Sequence, residues 1–137
     1  MRRVLVDTGF LVSVYDRSEP LHSRCLKVYE GIEEQLVTCE AVITEAIHIL
    51  RNEDSIRGIL ESVENGSLQI PFSLSQSATK VAELMDKYSD TPAEFADACL
   101  VCMADELDTG DILTLDSDFR HYRWRRNRQF RLLIPLD

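Results

Sequence analysis

No run of residues approaches the ~18 consecutive apolar positions that a helix needs to cross a bilayer, and no basic-then-apolar leader opens the chain. Both absences point to a cytoplasmic protein that makes no membrane contact. Glycine and proline are scarce, five and four in 137 residues, and no Gly/Ser- or Pro-rich linker, low-complexity tract or internal repeat interrupts the chain. A second domain has no place to begin, so a single domain over 1–137 is expected. The four cysteines, Cys25, Cys39, Cys99 and Cys102, are too few and scattered for a disulfide framework. Cys99 and Cys102 form a C-x-x-C inside a helical stretch, but no second pair completes a structural zinc site. Small buried hydrophobes are the expected role of all four.

Positive charge is also short, 15 Lys/Arg against 24 Asp/Glu for a net charge of -9. Such a balance ordinarily disfavours a polyanionic ligand unless the charges are segregated, and here they are. Residues 1–119 hold nine Lys/Arg against 23 Asp/Glu, whereas RHYRWRRNRQFR (120–131) contains six arginines and no acid. A solvated basic tail would look the same.

What is present, 45% hydrophobic and 28% charged residues, suits a globular domain with a real core. RRVLVD begins as a short apolar strand. TGFLVSVYD, LHSRCLKVYEGIEE, CEAVITEAIHILRN and DSIRGILESVENG have helical apolar spacing, the last stopped by Asn65-Gly66. LVTC, SLQIPF, DILTLD and FRLLIP read as further strands, SLQIPF being peripheral because of Pro71. SQSATKVAELMDKYSD and TPAEFADACLVCMADELD are two more helices, the second opened by Thr91 as N-cap with Pro92 at the first helical position. Short apolar strands alternating with helices, without hairpin signals, predict an α/β fold of three layers around a mostly parallel sheet of four to five strands. In open sheets of this kind, ligands gather outside the carboxyl ends of the strands, where the strand order reverses.

Asp7 ends the first strand and Asp116 the fourth, so both should leave the same edge of a parallel sheet. Each alone could be a common turn residue. Asp97 falls on the small, apolar face of its helix with Ala93, Leu100, Val101 and Ala104, and a carboxylate buried there needs a partner. Glu45 sits about one turn into an apolar helix, where simple exposure is the bland explanation. No Lys or Arg occurs within three residues of Asp7, Asp97 or Asp116. Clustered carboxylates repel unless a cation neutralises them, and all-oxygen ligation suits Mg²⁺ or Mn²⁺. Such ions support in-line displacement at a phosphodiester.

VDTGFLVSVYD, ITEAIHILR, PAEFADACLVCMAD and ILTLDSDFRHY, in this order and spacing, resemble the four motif blocks of the PIN-domain family nearly end to end. The chain is most similar to the VapC-type toxin ribonucleases of toxin-antitoxin pairs. The resemblance implies that Asp7, Glu45, Asp97 and Asp116 are acidic, metal-binding and catalytic residues. It makes Thr114 a hydrogen-bonding residue at the rim. Asp118 is left between orienting a water and capping a short helix, and Thr8 between an N-cap and a site-orienting hydroxyl. It further implies a tRNA or ribosomal RNA loop as substrate, a homodimer and a cognate antitoxin docked over the site. Arg120, Tyr122, Arg123, Trp124, Arg125 and Arg126 then offer an RNA-contacting or partner-binding flank, since bases of single strands stack on arginine planes and aromatics.

Other motifs carry less. Asp7-Thr8-Gly9 matches the D-T-G of aspartic proteases, but those need a β-rich dimer. Glu45-x-x-His48 and Glu19-x-x-His22 mimic the ligand pairs of di-iron bundles, yet Pro20 interrupts the second and a bundle would not contain these strands. Asp116-x-Asp118 has no phosphate-cradling Gly-rich loop beside it. The alternative of another class is a PIN-like RNA- or protein-binding module without catalysis; alanine at Asp7 or Asp97 separates the two.

Overall fold

The computed structural model describes residues 2–88 and 94–135. The element order is β1 (Arg3–Val6), α1 (Thr8–Tyr15), α2 (His22–Gly31), β2 (Gln35–Val37), α3 (Glu40–Ile49), α4 (Glu53–Glu64), β3 (Leu68–Gln69), α5 (Leu74–Lys87), α6 (Phe95–Leu107) and β4 (Asp111–Leu113). A 3₁₀ turn (Ser117–Arg120), β5 (Arg123–Trp124), β6 (Arg128–Gln129) and β7 (Arg131–Leu132) complete it.

Five strands form one parallel sheet in the order β3-β2-β1-β4-β7. Helices cover both faces, with α1 packed on α2, α3 and α4, and α5 on α6. The result is the expected three-layer α/β/α arrangement. Val4, Leu5 and Val6 are all buried, as a central parallel strand covered on both faces requires. Strand order runs outward from β1 through β2 to β3, then returns to β4 on the other side of β1. The reversal therefore lies between β1 and β4, and their carboxyl ends open the crevice where ligands of such sheets collect.

The register fixes that crevice. Leu5 stands opposite Ile112 and Val6 opposite Leu113, and the Asp7 amide extends the ladder by donating to the Leu113 carbonyl at 3.0 Å. In α6, every residue from Ala96 to Ala104 is buried, which explains its near-continuous apolar sequence: a helix hydrophobic all round lies inside the protein. Asp97 is carried in that buried run. All four cysteines are free and buried. α4 ends at Glu64 with Asn65 as its C-cap, followed by Gly66 at φ 84°, the left-handed stop that glycine permits. SLQIPF supplies the edge strand β3. The expected cap at Thr91 and Pro92 lies outside the described residues.

Two local expectations are corrected. Asp7, not Thr8, is the N-cap of α1, because the Asp7 carboxylate accepts the Thr8 amide at 2.8 Å. The basic stretch is not free of hairpins: β5 and β6 pair antiparallel, Arg123 opposite Gln129 and Trp124 opposite Arg128. Arg125 and Arg126 turn the chain there with φ of 42° and 73°, a left-handed geometry that the Asn/Asp/Gly rule for tight hairpins does not anticipate at arginine. Among the described residues, no helix is long and apolar enough to cross a membrane.

Candidate functional site

Asp7 emerges where β1 ends and α1 begins, and both of its oxygens are engaged. Oδ1 accepts the Thr8 amide, and Oδ2 accepts the Thr114 hydroxyl at 2.7 Å. Thr114 is completely buried and its hydroxyl also accepts the Asp116 amide at 3.0 Å. One hydroxyl thus ties the first of the four acids to the backbone of the last. Asp116 is the N-cap of the 3₁₀ turn, Oδ1 accepting the Asp118 amide at 2.9 Å. The capping role considered for Asp118 therefore belongs to Asp116, and the Asp118 side chain lines the cavity beside it.

Asp97 reaches the same place from α6. Its Oδ2 accepts the hydroxyl of Tyr122 at 3.1 Å. Tyr122 is fully buried, so it supports an acid from behind and is not part of an exposed flank. No pattern near Tyr122 in the sequence could announce that contact, which spans 25 residues.

One carboxylate oxygen each from Asp7, Asp97 and Asp116 lies within 4.8 Å of the others. Glu45 stands one hydrogen bond away, its Oε1 accepting the Thr8 hydroxyl at 2.7 Å. The Thr8 hydroxyl, at the first position of α1, thereby joins α1 to Glu45 on α3. All four acids line one cavity of about 500 Å³, with His48, Ile49 and Glu94 on its walls. Among the described residues, none of the four is paired with Lys or Arg.

The electrostatics follow from burial without a counter-charge. Desolvation is the largest influence on Asp7 and raises its pKa from 3.8 to about 6; the Thr114 and Thr8 hydrogen bonds oppose it, while Asp116 and Glu45 add to it. Desolvation also leads for Asp97, raised to about 7 with the Asp7 charge next, and the Tyr122 hydroxyl pulling the other way. Burial and the Asp97 charge hold the Tyr122 phenol well above its usual range. This is a set of oxygens waiting for positive charge.

Much of the C-terminal basic stretch is spent within the protein. The Arg123 guanidinium donates to the carbonyls of Arg120, His121 and Tyr122, and Arg125 pairs with Asp108 at 3.2 Å. Arg131 makes a two-pronged pair with Asp111, its Nε and Nη2 each 2.9 Å from an oxygen, and Arg2 meets the same carboxylate. Trp124 is buried, donates its indole N–H to Gln129 and has Arg128 over its ring. Arg126 remains on the outer surface of the turn.

The PIN domain model matches residues 4–125, a span holding all four acids and the threonines that orient them. Ribonuclease VapC26 of Mycobacterium tuberculosis is 26% identical over 122 residues, covering 87% of this chain and 89% of that protein. The parallel sheet reversing at β1 and β4, the acids converging on that reversal and the near end-to-end match agree, and the chain belongs to the PIN domain family.

Proposed function

We propose that the chain is a divalent-metal-dependent endoribonuclease hydrolysing RNA phosphodiester bonds, and that it acts as the cytoplasmic toxin of a toxin-antitoxin pair. The observation that carries this is the oxygen trio of Asp7, Asp97 and Asp116 within 4.8 Å. Two of the three residues are buried, and among the described residues none has a cationic side chain to balance it. An all-carboxylate donor set of this kind fits Mg²⁺ or Mn²⁺.

Asp7, Asp97 and Asp116 would hold the metal. When bound, it supplies positive charge to the phosphate oxygens and lowers the cost of deprotonating a water. Thr114 fixes the Asp7 carboxylate and the Asp116 backbone, and Tyr122 fixes Asp97, so the donor set is positioned before substrate arrives. Thr8 occupies one oxygen of Glu45 and leaves the other to orient a water and hold its proton. The water oxygen bonds to phosphorus as one ribose P–O bond breaks in line, and the departing oxygen takes a proton.

Similarity to Ribonuclease VapC26 supports an RNA substrate; a tRNA or ribosomal RNA loop, a homodimer and a cognate antitoxin are proposed from the resemblance of the four motif blocks to VapC-type toxins. Arg120, Arg123, Trp124, Arg125 and Arg126 are assigned to the flank that meets RNA or that partner, Arg123 and Trp124 by shaping the hairpin and the exposed arginines by contact.

The test is incubation of purified protein with structured RNAs, with and without Mn²⁺, followed by mapping of the cut. Cleavage should vanish in EDTA, return with metal and be lost in Asp97→Asn. Cutting that persists in chelator would end this mechanism. RNA binding without cleavage, unchanged in Asp97→Asn, would favour a non-catalytic module.

A further inference from the structure

The mechanism uses the acids but leaves unexplained how a protein of net charge -9 holds a polyanion beside four carboxylates. Neutralising phosphates takes cations that are not already committed, and the C-terminal arginines with internal partners have less to offer. Arg17 and Arg51 differ. Both are exposed, and among the described residues neither guanidinium makes a hydrogen bond or ion pair.

Both line a second, larger groove of about 1010 Å³ between the end of α1, α2 and the α3–α4 connection. Ile49 is the residue that this groove shares with the acidic cavity. It is 51% exposed, so the two depressions meet over an open apolar side chain at the end of α3. His48, on the cavity side, offers a flat ring at the same helix end. Two acids also line the groove, but each is engaged: Asp16 accepts from the Ser18 amide and hydroxyl, and Asp54 has Arg57 at 3.7 Å.

We propose that the RNA strand flanking the cleaved phosphate leaves the acidic cavity over His48 and Ile49 and lies along this groove, with Arg17 and Arg51 contacting its backbone. The inference rests on the nuclease reading and adds to it a single-stranded substrate several nucleotides long. A duplex keeps its bases stacked, whereas a single strand can lay a base on the His48 ring or on Ile49 as it passes. Arg51 also sits just beyond the C-cap Leu50, where a positive charge offsets the negative end of α3. Stability alone therefore does not reveal its role, and the test must read salt and substrate length.

The experiment measures cleavage kinetics of wild type and of Arg17→Ala/Arg51→Ala on a single-stranded oligoribonucleotide long enough to fill both depressions, and on a short one confined to the cavity. On the long substrate KM should rise on the order of tenfold at low salt with kcat unchanged, and the salt slope should flatten by about 0.7 per lost contact. The short substrate should not distinguish the two proteins. Asn52→Asp, which adds like charge in the groove and outside the cavity while keeping a side-chain oxygen for the cap of α4, should reproduce the length-dependent loss, and Lys27→Ala, a cation outside the groove, should leave KM alone. If wild type cuts both substrates and the double variant keeps its KM and salt slope on the long one, the groove is not the path and the nuclease reading stands. If wild type cuts no RNA, both fall together.

Discussion

The Thr114 hydroxyl donates to Asp7 Oδ2 at 2.7 Å across 107 positions of sequence, in a site where Thr114 itself is wholly buried. Replacing Thr114 by valine keeps the shape but strands Asp7 Oδ2 and the Asp116 amide. Unfolding free energy should fall by about 1–3 kcal/mol and Mn²⁺ affinity by about 10- to 100-fold, read by denaturant melts and calorimetric titration. Thr114→Ser, which retains the hydroxyl, should preserve both.

The raised pKa values of Asp7 and Asp97 make the metal-free protein sensitive to alkali. Each carboxyl binds its proton more tightly folded than unfolded, so its contribution is full below the ordinary 3.8 and is lost as pH climbs through about 6 for Asp7 and about 7 for Asp97. In chelator, Asp97→Asn should therefore gain stability over wild type at about pH 8 but not at about pH 4, as followed by Tm. Added Mn²⁺ should raise the wild-type Tm most at the alkaline end and the variant's far less. An identical pH profile for the two proteins would contradict the account of the site's charge.

Tyr122→Phe removes only the donor to Asp97 Oδ2. Without it the Asp97 pKa should climb further, since that hydrogen bond acts to lower it. Metal affinity should drop by about tenfold. The ring packing against Phe119 and Tyr88, at centroid separations of 5.0 and 4.9 Å, should hold stability near wild type. A pH titration of metal binding checks the direction.

Away from the site, a Cβ on Gly110 would fall within the indole of Trp124. Gly110→Ala should cost about 1–3 kcal/mol, measured by chemical denaturation, and leave metal binding intact.

Arg126 adopts φ 73°, a strained geometry for a side chain with a Cβ. Arg126→Gly should gain about 1 kcal/mol. A stability loss of that size would mean that the Arg126 side chain supports the hairpin.

The strand and helix alternation and the buried runs of β1 and α6 were legible because they are local: apolar spacing reveals burial. Asp97 stood out as a carboxylate in an apolar run, whereas Glu45 entered only through the resemblance of the motif blocks. The cap of α1 lay one residue before the Thr8 candidate, since either Asp7 or Thr8 satisfies the preference, and only the contact with Glu45 from α3 shows that the Thr8 hydroxyl is engaged away from the helix end. The hairpin puts Arg125 and Arg126 in the left-handed region and not the neighbouring Asn127, the loop residue that would ordinarily be expected there. The partners of Arg125 and Arg131 lie on the end of α6 and on β4, and Tyr122 meets Asp97 only through tertiary packing. Charge segregation in the sequence therefore marked a basic segment without revealing how much of it is bound to the protein itself.

The Asp7 amide is bonded to the Leu113 carbonyl, so the first acid acquires its final setting only when β4 has joined the sheet. During synthesis, a ribosome must deliver more than four-fifths of the 137 residues before Thr114 and Asp116 exist. A chain with the proposed activity is consequently inert until β4 and Asp116 have been made, and truncated products that stop short of β4 leave the RNA around them untouched.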